Sequence, residues 1–399
     1  MKSRRILVVC AAIALLGTAA WAANTTKLIY SFAGGVDGEY TDTELVMDSA
    51  GNLYGTSVQG GTYASGTVFQ VTAAGVHTVL YNFTGGADGG EPYKGVTLDA
   101  QGNLYGTAVT GGGGSCEGGC GVVFKLTNSG GVWTQTVVHA FTGADGSGPG
   151  SPVSIDKHGN VFGTTPTGGK FGMGVIYALQ PVGGKWKFRV VHAFTGGADG
   201  GGGSAGRLLI DDIGNLFGVC TVGGVNGLGT VYEVSLVNGQ VKFSTLYAFQ
   251  NPPDGALPYS GLAFDRVGNL YGTTYYAGAN GFGTVYKLTR ANGTWTEKVL
   301  YSFKGGTDGG NPISGLVADT SGSVYGTTSA DGATCGCGTI FKMTRGASGW
   351  TERAVYRFPG SPSAGTSYNG MVTDGAGHFY GATVNGGTAD EGAIYEFIP

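Results

Sequence analysis

Charge is what this chain has least of. Only 12% of its 399 residues are Asp, Glu, Lys or Arg, and the formal net charge is −4. A partner gripped mainly through a basic face, nucleic acid or an anionic membrane surface, is thereby excluded. Proline is scarce at 12 residues, and the 81 glycines follow no three-residue period, which excludes a collagen-like rod. No segment of the repeating region carries an apolar stripe of helical period. Beyond the N-terminus, no stretch approaches the ~20 apolar residues that a membrane-spanning helix requires.

The one long apolar stretch lies at the start. Lys2, Arg4 and Arg5 precede Ile6 to Leu16, and Ala20-Trp21-Ala22 offers small residues for cleavage before Ala23. This order predicts an export signal over residues 1–22 and a mature chain over 23–399. Cys10 has no run of small residues ahead of it, which argues against lipidation.

What the chain has in abundance is one motif. Gly-Asn-Leu-Tyr-Gly-Thr and its variants begin at Gly51, Gly102, Gly159, Gly214, Gly268, Gly322 and Gly377. A period of this size signals a solenoid, a propeller or an array. Within the second copy, YKGVTLD (93–99), NLYGTAV (103–109), GVVFKLT (121–127) and WTQTVVHAF (133–141) are short β-rich runs separated by turn residues. Four antiparallel strands per unit make the blade of a β-propeller. The phase of the copies supplies the closure. The chain opens on a lone fourth-strand motif, KLIYSF (27–32), and ends just after a third-strand motif, GAIYEF (392–397). An all-β, seven-bladed β-propeller is predicted, its last blade completed by residues 27–32. An open stack would leave that strand as an unprotected edge. The inner strands carry Val96/Leu98, Leu208/Ile210 and Leu262/Phe264 around smaller residues such as Thr97, Ser154 and Ala263. The outer strands (Thr296, Glu297, Lys298; Thr351, Glu352, Arg353) read as a polar edge.

LYNFTGGADGGEPYKGVTLDAQGNLYGTA (80–108) and LYSFKGGTDGGNPISGLVADTSGSVYGTT (300–328) resemble the Gloeobacter and Verrucomicrobia ("GloVer") tandem repeat of bacterial exported proteins with varied anchors. The resemblance covers nearly all of the mature chain. It implies export, and in many members a C-terminal surface anchor. This chain stops at Pro399 without a sorting tail, so release or periplasmic retention is the expectation. The family lends no catalytic residues.

Two rings of aspartate stand out. Asp48, Asp99, Asp156, Asp211, Asp265, Asp319 and Asp374 lie three residues before each marker glycine. Their recurrence in every copy predicts a turn in which the side chain bonds local backbone N–H groups. Asp37, Asp88, Asp145, Asp199, Asp254 and Asp308 sit in the Gly-Gly-x-Asp-Gly loops between blades, and the seventh loop (359–370) lacks one. Turn formation explains them, with Ca²⁺ as the alternative ligand of a carboxylate rim. Their spacing matches neither an EF-hand nor the nonapeptide calcium repeat.

Cysteines break the repeat. Cys116–Cys120 and Cys335–Cys337 are each predicted as a bond within one loop, and the second, enclosing one residue, as strained and easily reduced. Cys220 replaces a small residue and reads as buried. A zinc site joining the two pairs is not expected, because they belong to separate blades. No histidine has triad-like neighbours: His139 and His192 replace outer-strand tyrosines such as Tyr81 and Tyr301, His158 and His378 fall at turns, and His77 in a hairpin. Trp133, Trp186, Trp295 and Trp350 recur at one outer-strand position and read as packing residues. Tyr275 and Tyr276, with Phe171, Phe282 and Tyr63, offer an asymmetric aromatic surface for carbohydrate or peptide.

The expectation is an exported, monomeric, non-catalytic module that binds an extracellular or envelope glycan or protein through its loop-rich rim. One alternative is a lactonase-like enzyme with a metal at the central channel, for which the inner strands offer Glu44, Lys94 and Arg207 as isolated charges. The other is a structural surface or matrix protein.

Overall fold

The marker motif dictates how each blade packs. Its second glycine lies in the second strand beneath an aromatic ring of the third. At Gly55, Gly106, Gly163, Gly218, Gly272, Gly326 and Gly381, a Cβ would fall 2.3–2.7 Å from the tip of Phe69, Phe124, Tyr177, Tyr232, Tyr286, Phe341 and Tyr395 respectively. Only glycine lets the ring lie flat across the strand. All seven rings are fully buried. The threonine that follows stitches blades together: the Thr107 hydroxyl donates to the Ser151 carbonyl of the next blade (3.1 Å), and Thr327 does the same to Asn369 (3.1 Å). A phenylalanine ending each outer-strand motif (Phe32, Phe83, Phe141, Phe194, Phe249, Phe303, Phe358) is also fully buried. Each such burial contributes roughly 1.5–3 kcal/mol.

These units assemble into a seven-bladed β-propeller, seen in a computed structural model that describes residues 24–203, 206–237, 240–250, 252–332 and 335–399. The predicted export signal, residues 1–22, lies outside the described residues. Blade 2 shows the plan, with strands Val96–Leu98, Leu104–Ala108, Val122–Ser129 and Val132–Ala140 in antiparallel order from axis to periphery. Blade 6 adds a short segment, Gly310–Pro312, to this plan. Blade 7 consists of Val372–Thr373, Phe379–Thr383, Ala393–Ile398 and, as its outermost member, Thr25–Ser31. The N-terminal strand pairs antiparallel from Thr25↔Ile398 to Ser31↔Ala393 and closes the ring, beginning two residues ahead of the expected boundary.

The third and outer strands slip register at one equivalent point in every blade, as at Val123/Phe124 and Ile176/Tyr177. A bulge here sharpens the right-handed twist that a radial blade needs. Between blades, the outer-strand tryptophans pack on the second-strand aromatic of the preceding blade: Trp133 on Tyr54, Trp186 on Tyr105 and Trp350 on Tyr271, with centroids 6.1–6.4 Å apart. Trp295 joins the cluster of Phe217. Two outer-strand residues depart from the polar-edge expectation. Glu297 and Glu352 are half-buried, because their strand position turns toward the preceding blade.

Candidate functional site

Both rings of aspartate prove to be wired into the scaffold. Asp99 is representative of the turn set: one oxygen accepts the backbone N–H of Gln101 (2.9 Å) and of Asn103 (2.8 Å), the other the Asn103 amide (2.8 Å). Asp48, Asp156, Asp211 and Asp265 repeat these bonds, while Asp319 and Asp374 keep the two backbone ones. For Asp48 and Asp265, burial alone would raise the carboxyl pKa, but these hydrogen bonds outweigh it and hold it below the usual carboxylate range. The bonds let Gly102, at φ 80°, turn the chain in the left-handed region.

The loop set turns its carboxylates back onto the outer strand that precedes each loop. Asp37, Asp88, Asp254 and Asp308 accept from the hydroxyls of Tyr30, Tyr81, Tyr247 and Tyr301. Asp145 and Asp199 meet Nε2 of His139 (2.9 Å) and His192 (3.0 Å) instead. Each also accepts a backbone N–H at the start of its loop, as from Ala33 (2.7 Å) and Lys304 (2.8 Å). Histidine and tyrosine are thus interchangeable donors in one loop staple. His77 adds a second contact to Asp37 (3.2 Å) and stacks on Tyr30. Among the described residues no group of three or more His, Cys, Asp or Glu is arranged to hold a metal ion.

Sequence reading overlooked the acids facing these staples. Burial, and next the charge of Asp254, push Glu297 up to about 7; burial and the charge of Asp308 push Glu352 up to about 8. One oxygen of each is buried without a hydrogen-bond partner. The available signal was positional. Both lie six residues before the buried phenylalanine, where blades 3 and 4 carry Phe188 and Phe243, which stack on His139 (3.7 Å) and His192 (4.0 Å).

The loops between blades and those between second and third strands share one face, joined by bridges such as Gly90↔Thr110, Gly201↔Val222 and Ala256↔Tyr276. Both cysteine pairs lie in such loops and are bonded, with Cα–Cα distances of 5.1 Å for Cys116–Cys120 and 5.3 Å for Cys335–Cys337. Cys220 is free and buried, and burial raises its thiol pKa strongly.

At the centre of this face the inner strands begin, and a cavity of about 160 Å³ opens between them. Every blade contributes to its wall, including Glu44, Lys94, Pro152, Arg207, Tyr259, Ile313 and Tyr368. The charges expected to be isolated are paired. Lys94 donates to both oxygens of Asp42 (2.8 and 2.9 Å), and Arg207 Nε lies 3.5 Å from Glu44. Arg207 also donates to the Val153 carbonyl (2.8 Å), and the Asn369 amide reaches Asp42. Lys94 holds a left-handed backbone at φ 57°, costing about 1 kcal/mol or more, and its N–H bonds the Asp42 carbonyl. Beside this network, Tyr275 packs edge-on against Tyr276 (4.4 Å) and Tyr259 (5.5 Å). Tyr276 is 48% exposed and Tyr368 38%. Phe171 and Tyr63 lie on the loops of other blades and Phe282 on the same loop as Tyr275 and Tyr276, none of the three with a ring contact to this cluster among the described residues.

The Gloeobacter/Verrucomicrobia repeat matches residues 18–224, 113–335 and 204–399, overlapping spans that cover nearly the whole chain. No curated protein matches it in sequence. Two solved structures share the fold at a TM-score of 0.56. One is the extracellular domain of a candidate one-component system from B. thetaiotaomicron, at 9% identity over 91% of this chain; this chain spans 39% of that protein's length. The other is a candidate 6-phosphogluconolactonase from Bacteroides uniformis, at 14% identity over 83% of this chain and 88% of that one. At such identities the likeness is one of fold.

Proposed function

The chain belongs to the Gloeobacter/Verrucomicrobia repeat family, and on that scaffold we propose an exported, non-catalytic module that binds a glycan or protein ligand at the channel mouth. The tyrosine cluster of Tyr259, Tyr275 and Tyr276, facing Tyr368, carries this reading, because it departs from the sevenfold repeat where the rest of the face is loop scaffold. Tyrosine combines a large apolar face with a hydroxyl at small conformational cost, the composition that binding surfaces favour. The cavity of about 160 Å³ lies below the ~300 Å³ at which small-molecule pockets begin, so the ligand engages the mouth rather than entering the channel. The two carboxylates there, Asp42 and Glu44, are matched by Lys94 and Arg207. That pairing favours a polar recognition surface over the lactonase-like alternative, which needs carboxylates free for a cation.

The test is a binding screen of the full mature chain against glycans, peptidoglycan fragments and envelope proteins. We expect one class to bind, with Tyr276→Ala and Tyr368→Ala each weakening it about tenfold, as truncated interface anchors do. A hit unaffected by both substitutions, or a screen empty in every class, overturns the reading.

A further inference from the structure

The repeat is broken between blades 3 and 4, on the face opposite the loops just described. Five outer strands are nine residues long, and four of them carry a tryptophan that covers the preceding blade. The fifth, Gln240–Ala248 of blade 4, carries Val241 there. Its neighbour in blade 3 is truncated too. Ala178 stands where blades 2, 5 and 6 place Lys125, Lys287 and Lys342 across the second-strand tyrosine. The aromatic residue thus left uncovered is Phe162. Its counterparts Tyr54, Tyr105, Phe217, Tyr271 and Tyr325 are 0–8% exposed, whereas Phe162, like Tyr380 of blade 7, is only half-buried.

These losses leave a groove of about 900 Å³, floored by Phe162, Val191, Leu216 and Val241. That volume lies within the ~300–1,000 Å³ of small-molecule sites. Exposed Ile213 and Leu236 flank it. Its charges are unequal in availability. Asp156 and Asp211 are consumed by their own turns, each accepting two backbone N–H groups and an asparagine amide. Lys187 and Arg189 alternate with the inward Trp186 and Phe188 along the blade 3 outer strand, both exposed and without an ion pair among the described residues. Blades 2, 5 and 6 place Thr134, Thr296 and Thr351 at the position of Lys187. Lys157 adds a third cation, its ammonium donating to the Asp212 carbonyl (3.3 Å). Asp212 is the remaining acid of the lining and His158 its histidine.

We propose that this inter-blade groove is a binding site for a small amphiphilic anion, an aromatic or branched apolar body bearing one carboxylate, sulfonate or phosphate. The apolar floor takes the body, with Phe162 available for ring stacking, and the Lys187/Arg189 wall takes the anionic group. The site is separate from the channel mouth and does not depend on the function proposed for it.

The probe is 8-anilinonaphthalene-1-sulfonate, titrated calorimetrically into the full mature chain beside its uncharged parent, N-phenyl-1-naphthylamine. Saturable one-site binding of the sulfonate is expected, with the neutral parent at least tenfold weaker. Val241→Trp, which restores the residue of the other long outer strands, should weaken the sulfonate at least tenfold. The exposed pair Lys187→Thr/Arg189→Thr should do the same and abolish the preference for the charged probe. That pair decides the matter should Val241→Trp fail to fold, as judged by circular dichroism. Absence of saturable binding, equal affinity for both probes, or affinity unchanged in the folded variants would overturn the proposal.

Discussion

Placing a single methyl group at Gly106 tests the central packing claim. The residue sits in the second strand of blade 2, outside the left-handed region, so its backbone accepts alanine without strain. The obstacle is the Phe124 ring. A Cβ would lie 2.5 Å from Phe124 Cζ and 3.0 Å from Cε1, against the ~3.5–4.0 Å of an ordinary carbon contact. Phe124 cannot yield easily, being fully buried with Phe83 packed edge-on 5.0 Å away. Overpacking of this kind costs roughly 1–3 kcal/mol. Alanine recovers about 0.4–1 kcal/mol by restricting the unfolded chain. The net expectation for Gly106→Ala is a loss of about 1–2 kcal/mol, a fall in Tm of about 1–3 °C for a chain of this size. Calorimetry on the single variant, Phe124→Leu and the double variant isolates the cause. With the ring tip removed, Gly106→Ala should become nearly neutral, a coupling of about 1 kcal/mol. An alanine variant as stable as the parent would refute the reasoning, as would a penalty undiminished by Phe124→Leu.

The half-buried acids make stability depend on pH. Glu352 and Glu297 have folded pKa values raised to about 8 and about 7, above their unfolded values, so the fold prefers them protonated. Stability from this source is complete below about pH 4.5 and is lost as pH rises toward 7–8. Glu352 faces Asp308, Tyr301 and Lys304, and Glu297 faces Asp254 and Tyr247. After allowance for solvent screening the loss is roughly 1–2 kcal/mol. Glu297→Gln/Glu352→Gln, which installs the residue that blade 2 has at Gln135, should raise Tm at pH 8.5 and leave it unchanged at pH 4.5; an equal shift at both would sink the assignment. The Tyr177 hydroxyl is buried without a partner among the described residues, and blades 1, 2 and 6 carry phenylalanine in its place. Tyr177→Phe is therefore expected to be neutral or stabilising by up to about 1 kcal/mol, and a measured loss beyond 1 kcal/mol would show that the hydroxyl is satisfied.

The architecture was legible in the chain because each blade repeats the same local rules. Strand runs, turn aspartates and the displaced fourth-strand motif at 27–32 follow from spacing alone, and they determined the number of blades and how the ring closes. The roles of Asp99 and its counterparts were likewise readable, since an Asx turn depends on residues within four positions. Contacts between blades were not readable, because they join residues far apart in the chain whose side-chain directions only the assembled ring defines. Tertiary structure paired Lys94 with Asp42 and Arg207 with Glu44, and turned Glu297 and Glu352 from an apparent edge into a half-buried position. It also decided that Val241 and Ala178, unremarkable in their own strands, meet across one interface and open it. A missing side chain becomes a groove only when the facing blade fails to fill it, and that is a property of the pair of surfaces.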